Sequence, residues 1–123
     1  MKKILIIDDN PTISKIIEKT IIESEDLKNK VSLDIASDGF DGLIKTHKIN
    51  PDLIFIDYDM SYLNGFQITQ LIKNNTNYDN TKIIFFSTQN NLFDRMYGYM
   101  SGATEYLSKN DLRINTLKST ILK

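Results

Sequence analysis

Five residues scattered along the chain, Asp8, Asp9, Asp57, Ser87 and Lys109, share one property: each follows closely on a short apolar run. Asp8-Asp9 follow ILII, Asp57 follows LIFI, Ser87 follows IIFF, and Ser108-Lys109 follow TEYL. Brought into one crevice, the three carboxylates repel one another. Two like charges about 4 Å apart cost roughly 4 kcal/mol at the effective dielectric of a protein surface. A hard divalent cation with oxygen ligands relieves that repulsion, and magnesium characteristically binds a few carboxylates while keeping waters. Lys109 adds a fixed positive charge and Ser87 a hydroxyl donor. A carboxylate nucleophile, a cation, an ammonium and a hydroxyl are together the parts that hold a phosphoryl group in transfer. Singly, each residue has a plainer role. Paired aspartates suit a helix N-terminus, Asp57 an ordinary strand end, Ser87 a turn, and Lys109 a solvated surface. Their joint placement is what points to chemistry.

That placement requires a particular set of elements. Runs at Ile4–Ile7, Val31–Ile35, Leu53–Ile56, Ile83–Phe86 and Thr104–Leu107 alternate with five stretches of helical character. The first, third and fourth runs are continuously apolar, as in strands covered on both faces, whereas the second alternates and suits a strand nearer an edge. Asn10 and Asp38 are positioned to cap the first two helices, with Pro11 in the first turn. Ile13, Ile16, Ile17 and Ile21 mark one apolar face, and Leu43 and Ile44 belong to the second helix. Phe66, Ile68, Leu71 and Ile72 mark the third helix, and Leu112, Ile114, Leu117 and Ile121 the last. Breaks fall at Asn50-Pro51, Asn64-Gly65 and the polar run from Asn74 to Asn80. Strict alternation predicts an α/β fold of one domain over residues 1–123, doubly wound, with a five-stranded parallel sheet and helices on both faces. In such sheets ligands bind beyond the carboxyl ends of the strands, where these residues sit.

Composition narrows the function. The formal net charge is −1 and only Arg95 and Arg113 are arginines, so no general electrostatic attraction to nucleic acid exists. The absence of cysteine excludes disulfides, thiol catalysis and thiolate metal sites. His47 alone cannot build a multi-histidine metal site, and its place on the second helix reads as a surface histidine. The run after Met1 is too short for a signal peptide and is interrupted by Asp8 and Asp9. No run is long enough to span a membrane, and the expected location is the cytoplasm.

The pattern resembles the receiver domain of two-component response regulators, in its single-domain chemotaxis-regulator form, over essentially the whole chain. The likeness rests on Asp8-Asp9, PDLIFIDYDM around Asp57, Asn64-Gly65, the Ser87 position, and GATEYLSK from Gly102 to Lys109. It implies the flavodoxin-like receiver fold, with Asp57 as phosphoacceptor. Asp9, Asp57 and the backbone carbonyl of Asp59 would ligate Mg2+, and Asp8 would reach it through water. Ser87 and Lys109 would contact the phosphoryl oxygens, and Tyr106 would be an aromatic switch that moves inward with Ser87. The donor would be a phosphohistidine on a sensor histidine kinase or phosphotransfer protein. Such a domain phosphorylates and dephosphorylates itself as a signalling unit rather than as a turnover enzyme.

Several positions depart from the family pattern. Ser61 and Asn110 stand where proline is usual, so a trans Lys109–Asn110 bond and a rearranged loop are expected. Thr88 is bulkier than the usual alanine or glycine and is expected to slow loss of the phosphoryl group. The Asp59 side chain either binds a water of the metal or repels the incoming group. The segment also resembles a haloacid-dehalogenase-type phosphatase, with Asp57 as nucleophile and Asp59 as general acid. The order of the acidic residues and the short chain beyond Lys109 fit that family poorly. A degenerate receiver that binds partners without phosphorylation is a further alternative.

The fourth helix carries two apolar stripes: Leu92, Met96 and Tyr99, and Phe93, Tyr97 and Met100. Either the first packs on the sheet and the second is exposed, or both lie in one wide buried face with wet tyrosine tips. By the family resemblance, the fourth helix, fifth strand and fifth helix form the output face, including Phe93, Tyr97, Met100 and Tyr106. It would bind a downstream protein or form a homodimer. The first helix, with Lys15, Glu18 and Lys19 exposed, would dock the kinase. The start at Met1 and the end directly after the last helix favour a stand-alone regulator over an excised input domain.

Overall fold

A computed structural model describes residues 1–60, 62–87, 96 and 99–122. Five strands, β1 (Lys2–Ile7), β2 (Val31–Ala36), β3 (Leu53–Asp57), β4 (Lys82–Ser87) and β5 (Glu105–Ser108), form one sheet in the order β2-β1-β3-β4-β5. Every pairing is parallel. Helices α1 (Pro11–Glu23), α2 (Gly39–Ile49), α3 (Gly65–Lys73) and a C-terminal helix (Ile114–Leu122) cover the sheet. The order reverses between β1 and β3, which opens a crevice at their carboxyl ends.

The uninterrupted apolar runs have a two-sided explanation. Leu5, Ile7, Ile54, Ile56, Ile83 and Phe85 point into one core with Ile68 and Ile72 of α3. Ile4, Ile6, Leu53, Phe55, Ile84 and Phe86 point into the other with Ile17 and Ile21 of α1 and Leu117 and Ile121 of the C-terminal helix. Side chains alternate across a strand, so a strand buried on both faces must be apolar throughout. Phe55, Phe85 and Phe86 are fully buried, each worth about 1.5–3 kcal/mol in area removed from water. The alternating second run forms β2, which lies at the sheet edge and is only half-buried along most of its length.

Caps set where the helices begin. Asn10 accepts from Thr12 N at 3.0 Å, with Pro11 at the first helical position. Asp38 accepts from Asp41 N at 2.8 Å. Asn64 and Gln67 cap α3 reciprocally, at 2.9 and 3.0 Å, so Asn64-Gly65 is a helix start as well as a break. Asn50 closes α2 in the left-handed region at φ 51°.

Three helix faces differ from the spacing-based reading. Ile16, Ile44 and Leu71 are exposed, whereas Ser14, Gly42, Thr46 and Thr69 are buried. Small residues take the inner face because the helices sit close to the sheet: a Cβ on Gly42 would fall 2.5 Å from Ile7 Cδ1. Met96 and Tyr99 are also about half exposed rather than packed on the sheet, and Met100 is exposed. Phe93 and Tyr97, with Leu92, lie outside the described residues, as do Ser61 and Thr88. No cis peptide occurs among the described residues, so Lys109–Asn110 is trans. The chain leaves β5 through a single 3-10 turn, Lys109–Asp111, in which Ser108 Oγ accepts from Asn110 N at 3.2 Å. No described helix is long and apolar enough to cross a membrane.

Candidate functional site at the carboxyl edge of the sheet

Asp57 is the last residue of β3 and Ser87 the last of β4. Asp8 and Asp9 directly follow β1, and Lys109 directly follows β5. Asp8, Asp57 and Ser87 are buried and Asp9 is exposed, so among the described residues the site has a closed floor and is open at Asp9. One ligand oxygen from each of Asp8, Asp9 and Asp57 lies within 4.8 Å of the others.

Two donors partly balance these charges. Lys109 Nζ lies 3.0 Å from Asp57 Oδ1, reaching over the Phe86 ring at 5.8 Å from its centroid. Asp59 N donates to the same Asp57 oxygen at 3.0 Å. Asp8 Oδ1 accepts from Asn10 N at 2.9 Å, which ties the acidic pair to the start of α1. Its other oxygen, Oδ2, is buried with no hydrogen-bond donor among the described residues. Burial pushes the Asp8 carboxyl up to about 6. The Asn10 N–H opposes the rise, the Asp57 carboxylate adds to it, and the Lys109 charge counteracts it. An orphaned buried carboxylate oxygen beside two further carboxylates is a donor set that fits a hard divalent cation.

The Asp59 side chain has a contact that the sequence did not reveal. Ser87 Oγ donates to it, at 2.9 Å to Oδ2 and 3.1 Å to Oδ1, and Lys109 Nζ lies 3.8 Å from Oδ2. The Asp-x-Asp spacing is visible in the sequence, but the side-chain partner depends on how β3 and β4 are aligned.

Tyr106 corrects an expectation about the output face. It is buried, with its ring centroid 5.9 Å from that of Tyr58 and 6.2 Å from that of Phe85. It therefore lies largely beneath the surface and exposes little of its side chain to a partner in this conformation. His47 is exposed on α2 and hydrogen-bonds the Tyr78 hydroxyl at 2.9 Å, a structural contact remote from the acidic cluster.

The arrangement places a buried carboxylate beside a cation-ready cluster, an ammonium and a hydroxyl. The family model described as the response regulator receiver domain matches residues 4–121. The chain belongs to the response regulator receiver family. This receiver is 38% identical to Protein PilG of Pseudomonas aeruginosa over 87% of its own length and 76% of that protein. It is 31% identical to Protein PilH of the same organism, covering 89% of this chain and 86% of that one. Its fold superposes on the chemotaxis protein CheY4 of Vibrio cholerae with a TM-score of 0.87, at 26% identity, covering 99% of this receiver and 97% of that chain. Several other curated relatives, transcriptional regulators among them, are longer, and this receiver spans between 39% and 46% of the length of those five. The haloacid-dehalogenase reading finds no support in the sheet order or in the family match.

Proposed function

We propose that this receiver takes a phosphoryl group from a phosphohistidine of a partner kinase or phosphotransfer protein onto Asp57. The supporting observation is the placement of Asp57: a buried carboxylate at the switch-point crevice, 3.0 Å from Lys109 and within 4.8 Å of Asp8 and Asp9. An Asp57 carboxylate oxygen forms a bond to phosphorus as the P–N bond breaks, and the imidazole leaves with that electron pair. Lys109 meets the charge of the phosphoryl oxygens, and Ser87, once free, donates a hydrogen bond to one of them. Asp8, Asp9, Asp57 and the Asp59 carbonyl would hold Mg2+, which when bound neutralises charge on the carboxylates and the phosphoryl oxygens. Asp8, Asp57 and Ser87 at the floor of the site are buried, so these charges act at a lower dielectric than in water.

The exposed side chains of Met96, Tyr99 and Met100 support an output role for the helical segment that precedes β5. Phosphorylation would alter that face to suit a downstream protein. Lys15, Glu18 and Lys19 are exposed on α1, the helix that begins just after Asp8-Asp9, and suit a docking kinase. We place the protein in the cytoplasm, where such kinases present their phosphohistidine.

Phosphoramidate tests the P–N step directly because it carries the bond to be broken. With Mg2+ the protein is expected to gain one phosphoryl group, and with a chelator none. Gain of the group without regard to Mg2+ would contradict the reading.

A further inference from the structure

Asp57 is paired with Phe86 across β3 and β4, so Ser87 extends one residue beyond the last strand pair. Its hydroxyl therefore meets the loop after β3 rather than the strand end. Ser87 is fully buried, and a buried hydroxyl takes its acceptor from within the protein. That acceptor is the carboxylate of Asp59, engaged through both oxygens. The same carboxylate stands 3.8 Å from Lys109, and its backbone is fixed beside Asp57 by the hydrogen bond from Asp59 N.

We propose that Asp59 is a resident competitor of the phosphoryl group: its carboxylate occupies Ser87 and faces Lys109, the donors the phosphoryl oxygens require. This inference rests on the receiver chemistry proposed above. Asp59 is an anion holding two donors meant for an anion. It must turn toward the open side before Ser87 can serve a group on Asp57, and it repels that group until it does. The opposite role, support of the cation through water, predicts the opposite sign: removing Asp59 would then weaken the site.

Calorimetric titration with fluoroberyllate, an anion shaped like a phosphoryl group, separates these roles. Wild type, Asp59→Asn and Asp59→Ala are each titrated first with magnesium, so that every anion titration runs with the cation saturating. Asp59→Ala is expected to tighten fluoroberyllate binding by about tenfold, the scale of one hydrogen bond to a charged group. Asp59→Asn, of the same shape, should tighten it less, because its amide oxygen still accepts from Ser87. Binding by the variants where wild type shows none would support the competitor role in its strongest form. Unchanged or weaker binding by Asp59→Ala, with wild type binding normally, overturns the inference and leaves the receiver reading standing. Failure of all three proteins to bind overturns both.

Discussion

Lys109 Nζ lies 3.0 Å from Asp57 Oδ1, joining the end of β5 to the end of β3 over the intervening β4. Both side chains are largely buried, at 16% and 3% exposed. The pair offsets part of the repulsion among Asp8, Asp9 and Asp57. Lys109→Met should destabilise the metal-free protein by about 1–3 kcal/mol, between the limits for exposed and fully buried pairs. Adding Asp57→Asn should recover most of that loss, because the stranded charge is gone. A double-mutant cycle in urea reads the coupling, and additive losses would show that the pair is not coupled.

The orphaned Asp8 Oδ2 and its two neighbouring carboxylates predict stabilisation by magnesium. At about a hundred times its dissociation constant a ligand of the folded state adds roughly 2.7 kcal/mol. Thermal melts with and without Mg2+ should show a clear rise for wild type and little or none for Asp9→Asn. An equal rise in both proteins would remove Asp9 from the cation site.

Gly42 lets α2 lie against β1. A Cβ there would sit 2.5, 2.8 and 2.9 Å from three carbons of Ile7. Gly42→Ala gains about 1 kcal/mol of helix propensity but forces a fully buried neighbour to move, at about 1–3 kcal/mol. A net loss of stability is expected from the chemical-denaturation midpoint, and Ile7→Val in the same chain should lessen it. A stabilised Gly42→Ala would mean that α2 is free to shift outward.

Much of the fold was legible because β1, β3 and β4 are buried on both faces and must be apolar throughout, and because Asn10 and Asp38 carry side-chain caps. The parallel sheet then placed Asp8, Asp9, Asp57, Ser87 and Lys109 on one edge. Other features depend on distances that spacing does not encode. Periodicity nominated Ile16 and Ile44, but close helix–sheet approach gave the inner face to Ser14, Gly42 and Thr46. The Ser87–Asp59 contact follows from the one-residue offset between β3 and β4, and the inward position of Tyr106 is a conformation rather than a sequence property.

Asp26 and Lys118 tie the loop after α1 to the C-terminal helix at 2.6 Å. The hydrogen bond and charge of Lys118 hold the Asp26 carboxyl below its usual value. A carboxylate with a depressed folded-state pKa contributes stability that is present above its unfolded pKa. That contribution fades as pH falls through the lowered value. Asp26→Asn should therefore flatten part of the acid limb of the stability–pH curve while leaving neutral and alkaline stability nearly parallel to wild type. An unchanged acid limb would mean that the exposed pair is screened out by solvent.

The proposed function turns on Asp57 as the phosphoacceptor. Intact-mass measurement after incubation with acetyl phosphate and Mg2+, followed by peptide mapping, tests it most directly. One base-labile phosphoryl group is expected on the peptide containing Asp57, and none on Asp57→Asn. A folded wild-type protein that takes up no phosphoryl group, or an adduct that persists in Asp57→Asn, would contradict it.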